Sequence, residues 1–486
     1  MKLDDWNKKG RDKNARVCNA FDEILDNDGG SDEDFTEDKR SAKLANAVLE
    51  QVVAFNRAGD WRKARATFDP AHGPFVPHME KTDLGLTAVA ILGPDRFLIR
   101  RGAAGQEGVH VLHLDGDRVE TVKDAHAFAL SRDRRWLVLA TPAGLVVTRE
   151  IGTAPTKTVA WPNGVTVDPA ALETLDVAND GTSIVFASDV VGIWLLQDGR
   201  WTQLAPRPGV GDDAASDGDE DDEDDEDDDE DDEDDEDDAA SEGDEDDEDD
   251  EDDEDDEDDE DDEDGQAGIR VGTYAELRAQ MVGAIGIDRT HAAISPDGKL
   301  VAYGWQDADG HHVDRIEGGV LAPICVVEPR SDYPYHARFT DDSRCILSNS
   351  RHMQSGVTVC KALDGIAAED EAPATDEYLR AYGMVVLPGV LFGIDEPVAW
   401  IGGAGWSHAA PVSGGKPVFT HLFGSTLEGF DYDPVSKRAA VVSTSGMLHV
   451  LDPAAVAERG SERGYRPRRE LYRWIFWDTL DAPIRW

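Results

Sequence analysis

The sequence predicts an all-β repeat fold: a β-propeller of about seven blades, with a small N-terminal helical hairpin and a disordered acidic insertion. Three observations predict it. Short apolar runs separated by Asp- and Gly-rich turns recur at intervals near 45 residues. Residues 212–264 are almost pure Asp and Glu. One stretch of helical periodicity, 41–68, stands ahead of the repeats.

The repeats come first because they carry the fold. Ala127–Asp133 is followed by Trp136–Leu139 and Leu145–Val147. Leu175–Gly181 leads to Ile184–Phe186 and Ile193–Leu196, and His291–Gly298 to Leu300–Tyr303. His336–Ser343 precedes Cys345–Leu347 and Val357–Val359; Phe430–Pro434 precedes Ala440–Val442 and Leu448–Leu451. A fainter copy runs from Thr87 to Leu114, and the Gly- and Pro-rich stretch 366–426 conceals another. Ser131 to Ala178 is 47 residues, Ser295 to Thr340 is 45, and Thr340 to Asp433 is 93, about two periods. A four-stranded blade exposes two apolar faces and must stack on neighbours. Its tight turns favour Asp, Asn, Gly and Pro, which tolerate or preset the required backbone angles.

On these residues the chain resembles the WD-repeat and TolB-like propellers, over residues 85–455. Ser295-Pro296-Asp297-Gly298-Lys299 is the strongest matching string. The Trp-Asp dipeptide that closes true WD repeats is missing from the blades, so the TolB-like variety is the nearer match. The resemblance implies a fold and leaves the chemistry open, because propellers serve as scaffolds, binding platforms and enzymes.

Residues 41–75 are expected to form a helical hairpin. Ser41 can cap a helix on which Leu44, Val48, Val52 and Phe55 share one face. Ala58-Gly59-Asp60 breaks it, and Trp61, Ala64 and Phe68 mark a second helix ending at Pro70. The hairpin resembles half of a tetratricopeptide array, though a lone repeat cannot bury both faces. Residues 1–40 are polar and are expected to be mostly disordered, with a short helix around Val17–Leu25.

The net charge of −57 belongs mostly to one segment. Residues 212–264 hold 45 of the 104 acidic residues and no Lys or Arg. The rest carries about −12, ordinary for a water-soluble chain. Like charges spaced well inside a Debye length repel, so the tract is expected to be extended. Lengthening a loop this far costs only about 2 kcal/mol of closure entropy, which a propeller can carry. The tract could bind basic proteins, and it disfavours direct contact with nucleic acid.

No window reaches 18 consecutive apolar residues, so no membrane span is expected. Met1–Cys18 lacks the apolar core of a secretory signal. Cys18, Cys325, Cys345 and Cys360 form no C-x-x-C pair, which suits reduced thiols and a cytoplasmic location. No phosphate-cradling Gly loop or dinucleotide fingerprint is present, and no cofactor is expected. Gly405-Trp406-Ser407-His408-Ala409 is similar to a nucleophile elbow, but lacks the closing Gly and a hydrolase domain around it. Asp307–Asp314, with His311 and His312, could supply metal ligands, yet it falls where a hairpin turn belongs. Asp26-Asn27-Asp28-Gly29 has its Gly at the wrong offset for a calcium loop. Neither metal nor catalysis is therefore expected.

The final segment, 456–486, mixes arginines and aromatics, residues enriched at interface hot spots. Arg469, Arg473, Trp474, Phe476, Trp477 and Trp486 are the candidate partner-docking residues; the competing expectation is that the aromatics dock on the propeller itself. The expected function is a non-catalytic protein–protein interaction platform with an unidentified partner. The alternatives are a polyanionic binder of basic proteins acting through the tract, and a propeller enzyme with a site in the central channel.

Overall fold

A computed structural model describes residues 4–27, 38, 40–204, 290–305, 308, 310–328, 334–350, 356–364, 372–376, 379 and 381–486. The chain divides into two units, Met1–Pro206 with Gly272–Trp486, and Arg207–Val271; all described residues belong to the first. The acidic tract 212–264 lies outside the described residues.

Helix α1 spans Asp4–Asn27, α2 Ala42–Arg57 and α3 Trp61–Thr67. The expectation of disorder over 1–40 is therefore corrected for residues 4–27. Polarity hides the buried face of α1, on which Trp6, Gly10, Lys13, Val17 and Phe21 recur at helical spacing. Trp6 is fully buried and its indole N–H donates to the Asp69 carbonyl at 2.8 Å. Three turns later, Val17 and Phe21 pack against Leu422. Helix α2 buries Leu44, Val48 and Val52, and the Ser41 hydroxyl accepts from the Leu44 amide.

The strands form a β-propeller. Sheet one comprises β1–β4 (Leu86–Gly93, Arg96–Arg101, His110–Asp115, Arg118–Thr121). Sheet two comprises β5–β8 (Ala127–Leu130, Leu137–Thr141, Gly144–Thr148, Lys157–Val159). Sheet three comprises β9–β12 (Thr174–Val177, Ile184–Ser188, Gly192–Gln197, Arg200–Leu204). Sheet four comprises β13–β16 (His291–Ile294, Leu300–Gly304, His311–Glu317, Val320–Val327). Sheet five comprises β17–β20 (Pro334–Phe339, Cys345–Ser350, Thr358–Ala362, Ala374–Asp376). The remaining strands, β21–β28 (Gly383–Leu387, Val398–Gly402, Ala404–Pro411, Phe419–Asp433, Arg438–Ser443, Met447–Val456, Arg468–Ile475, Ile484–Arg485), make one continuous eight-stranded sheet.

Among the described residues, five discrete four-stranded blades are thus found where about seven were expected. The reason is β24, a 15-residue strand that pairs with β23 through its first half and with β25 through its second. Pairing with β23 ends at Thr426 and pairing with β25 begins at Leu427, with a register shift between Leu427 and Gly429 just inside the second half. The boundary placed at residue 455 is also moved: β27 and β28 belong to this sheet, so the last residues are not an appended tail.

Three blades share one turn lock. The Ser131 hydroxyl donates to Asp133 Oδ1 (2.7 Å) and accepts from the Trp136 amide (3.0 Å). Asp133 Oδ1 also accepts from the Arg135 amide at 3.1 Å. Ser295, Asp297, Lys299 and Leu300 repeat this at 2.7, 3.1 and 2.9 Å. Thr340, Asp342, Arg344 and Cys345 do so at 2.6, 3.1 and 3.0 Å. A short acidic side chain satisfies turn amides that the ladder cannot reach. The turn needs one left-handed residue, which is Gly298 at φ 71° in one copy and Ser343 at φ 61° in another.

The locked turns also join neighbours. The Asp133 amide donates to Asn179 Oδ1 (2.9 Å), the Asn179 amide to the Pro296 carbonyl (2.9 Å), and the Asp297 amide to Ser343 Oγ (3.2 Å). Arg134 extends the chain of contacts to β1 and β24, donating to the Ile91 carbonyl at 2.6 Å and to Asp431 at 2.7 Å. The first and last sheets meet along β1, β24 and β25. A Cβ on Gly429 would stand 2.8 Å from Ala88 Cα, so glycine permits that approach. Leu86, Ile91, Phe97, Val442, Leu448 and Trp474 fill the seam.

Candidate functional site: the central channel

A cavity of about 720 Å³ runs among the first strands of the blades, bordered by β1, β5, β9, β13, β17, β21 and β24. In a meander, loops joining first to second strands lie at one end of a blade, and loops joining second to third strands at the other. The Asp turns occupy the first end. Ala103, Asp189 and Thr444, in second-to-third loops, border the cavity at the opposite end. That end is the rim.

Successive residues of the first strands line the cavity. Counting back two residues from the turn positions Ser131, Ala178, Ser295, Thr340 and Asp433 gives Ala129, Asp176, Ala293, Arg338 and Asp431. All five border the cavity, at one level near the turn end. Two residues nearer the rim come Ala127, Thr174, His291, His336 and Gly429, which also border it. Arg132 enters the lower level from its turn.

The lower level is uneven in its bonding. Asp176 accepts from the Val177 amide (2.9 Å) and the Ile294 amide (3.1 Å). Asp431 accepts from the Ile91 amide (2.6 Å) and Arg134 (2.7 Å). Arg132 approaches Asp176 only to 4.0 Å. Arg338 donates to the Met384 carbonyl at 3.2 Å. Burial and the neighbouring Arg132 push the Arg338 guanidinium down to about 9.

At the upper level, His291 and His336 lie 4.8 Å apart between ring centroids. Burial pushes His291 down to about 3 and holds His336 well below the ordinary histidine range, so both are neutral near pH 7. His291 Nε2 accepts from the Ala337 amide at 3.4 Å, which assigns the proton to Nδ1. Buried Nδ1 has no partner. His311 stands 5.4 Å from His291 and contacts Ser348 Oγ at 2.6 Å. Among the described residues, no three His, Cys, Asp or Glu side chains gather in a way that could hold a metal.

The residues singled out in the sequence lie elsewhere, and most are buried. Trp474, Phe476, Trp477 and Trp486 are 0–3% exposed and Arg473 is 8%. Trp486 donates from its indole to the Phe68 carbonyl (2.9 Å) and stacks on Trp6. Trp477 donates to the Ser445 carbonyl (2.9 Å), and Arg473 grips Glu470 at 2.8 and 2.9 Å. The fold encloses these five, which suits the competing expectation that the aromatics dock on the propeller itself. Arg469 alone is exposed. Trp474 borders a second cavity of about 660 Å³, beside α2.

Ser407 sits inside β23, fully buried, with its hydroxyl donating to the His421 carbonyl at 3.3 Å. Its neighbour His408 contacts Asp376 at 2.9 Å, and successive strand residues face opposite ways, so these groups form no relay. His311 and His312 are strand residues of β15; His312 stacks on Tyr303 and Trp305. Asp307 and Asp309 lie outside the described residues. Asp26 and Asn27 end α1, and Asp28 and Gly29 are not among the described residues. No described helix is long and apolar enough to cross a membrane.

Arg338, Asp176 and Asp431 were missed as site residues, although each stood inside a repeat string. The available signal was a charge at an inward position of an otherwise apolar first strand.

No protein-family model and no curated protein matches the chain. Among solved structures, it is similar to the β-propeller domain of Cps50 (Swd1) from Myceliophteria thermophila. The match has 11% identity and a TM-score of 0.44, and covers 76% of this chain and 97% of that one. The chain's own strand order, antiparallel four-stranded meanders following one another around shared first strands, makes it a β-propeller.

Proposed function

We propose that the protein is a non-catalytic protein–protein interaction platform of the TolB-like kind, with its partner docking at the rim end of the channel. The observation that carries this reading is the division of labour between the two ends. At the turn end, side chains and amides are spent on linking blades to one another. At the rim, loops from several blades surround one open cavity, which suits contact with another protein. The nucleophile and metal candidates from the sequence are engaged inside strands, which favours binding over catalysis.

The test is photo-crosslinking in native lysate, with the reactive group placed at Ala103 on the rim or at Val320 in the β15–β16 turn. A defined partner crosslinked from the rim position alone, and retained after deletion of residues 212–264, is the expected result. If binding vanishes with the deletion or in high salt, the polyanionic reading replaces the platform. Steady turnover of a small molecule by the purified chain would favour a channel enzyme instead.

A further inference from the structure

We propose that the turn end of the channel is a binding site for an oxyanion, a carboxylate or phosphate group held between Arg132 and Arg338. The proposal stands apart from the platform reading, since a small molecule could fill the site whether or not a protein docks above it.

A guanidinium carries five N–H donors. Arg338 makes one hydrogen bond, to the Met384 carbonyl, among the described residues. Arg132 has, among the described residues, a loose 4.0 Å approach to Asp176. The two carboxylates at this level are each engaged elsewhere: Asp176 accepts from two backbone amides, Asp431 from an amide and Arg134. Among the described residues, most guanidinium N–H groups of Arg132 and Arg338 are therefore left without a hydrogen bond. Both under-bonded groups are cationic; burial and Arg132 disfavour the charge on Arg338, and Asp176, Asp431 and Asp341 oppose that effect. Buried or half-buried cations are costly without a partner. An oxyanion supplies acceptors to both arginines and offsets their repulsion, with the forked geometry that guanidinium groups favour.

The space above suits more than a bare ion. A cavity of about 720 Å³ is the size of a small-molecule site. Neutral His336 borders it, and Tyr335 and Tyr382 meet edge to face, 6.1 Å apart, on its wall. Imidazole nitrogens and aromatic faces would contact the uncharged body of an organic acid or phosphate ester, while the arginines hold its charged end.

The experiment uses the full chain with two probes, inorganic phosphate and succinate, titrated calorimetrically at fixed ionic strength. The variants are Arg338→Gln, Arg132→Gln and, as a control away from the channel, the exposed Arg62→Gln. Saturable binding of either probe is expected, weakened about tenfold or more in each channel variant, since charge-assisted bonds are the strong ones, and unchanged in R62Q. Phosphate alone binding points to a phosphoryl ligand, succinate alone to a carboxylate; both support the site. Thermal unfolding shows that each variant is folded, and Arg338→Lys, which keeps the charge without the fork, substitutes if R338Q is not. No saturable binding of either probe, or equal binding by wild type and both channel variants, overturns the proposal. Because the readout is a small anion, failure here leaves the crosslinking test of the platform untouched, and the reverse.

Discussion

The five discrete blades and the eight-stranded sheet are built from the same kind of strand, but they are held in different ways. In three of the discrete blades the turn lock closes within six residues of sequence. Each such copy carries the instructions for its own hairpin. The eight-stranded sheet instead takes its support from hundreds of residues away. Trp486 bonds to the Phe68 carbonyl, Asn56 donates to the Arg485 carbonyl and accepts from its amide, and Arg65 pairs with Glu470 at 2.9 Å. Trp6 and Phe75 complete the apolar cluster against Trp477 and Trp486. The difference teaches that a repeat fold need not be uniformly local: its regular part is encoded copy by copy, and its closing part is assembled from both ends of the described chain.

The largest expected effect tests the long-range half. Trp486→Ala empties a fully buried site shared by α1, α2 and the last strands, and should cost about 3–5 kcal/mol in denaturant unfolding. Hydrogen exchange should show α1 loosening while β13–β16 stays protected; uniform loosening would erase the contrast between the halves. Next comes Glu470→Gln. Glu470 is buried against Arg65, Arg473 and His449, and the arginines hold its carboxyl well below the usual range. Losing its charge strands two buried guanidinium groups, at about 3 kcal/mol.

Acid should weaken both halves. Burial pushes His291 and His421 down to about 3 and His72 to about 2. The unfolded chain takes up these protons near pH 6.5 and the folded chain does not, so stability is full above that pH and falls as pH drops toward 3. Each histidine contributes about 1.4 kcal/mol per pH unit across its window. Lowered carboxyls such as Asp38 and Asp95 add the same sign below their ordinary range. A stability curve that is flat between pH 6 and pH 4 would contradict this accounting.

Ser295→Ala removes one turn lock and should cost only about 1 kcal/mol, with Ser131→Ala alike. A cost several times larger would mean that the lock supports the inter-blade links as well. The smallest effect concerns a thiol. The neighbouring Cys360 thiol pushes Cys345 down to about 7, while Cys360 itself is raised by that bond and by burial. Alkylation by iodoacetamide should occur at Cys345 first, with a rate midpoint near pH 7 and little change in stability.

Much of the regular half was legible in the sequence because its information is local. Ser295-Pro296-Asp297-Gly298 states its turn in four residues, and Leu300–Tyr303 its strand. The eight-stranded sheet was hidden for the opposite reason. Between Phe419 and Asp433 the only mark of the handover is a kink at Gly424, φ 88°, where pairing with β23 skips from Leu422 to Thr426; a single glycine does not read as a turn. Helix α1 was hidden because its buried face, Trp6, Gly10, Lys13, Val17 and Phe21, carries a glycine and a lysine where an apolar stripe would be expected. The aromatics of 474–486 were visible, but whether they face solvent or core depends on α1 and α2 arriving beside them. The channel charges required the blades to be arranged around a common axis before Arg132 and Arg338 could be seen to share a space.

Strand β24 has a mechanical consequence. A discrete blade pulled from its ends can peel away alone, releasing about 33 residues for β5–β8, or roughly 115 Å of extended chain. The eight strands of β21–β28 have no such joint. Tension entering at Arg485 is transmitted through β24 into Gly383, so the sheet should yield as one unit of roughly 360 Å. In a force–extension trace this protein would give several short steps and a single long one, and the long step would identify the sheet by length alone.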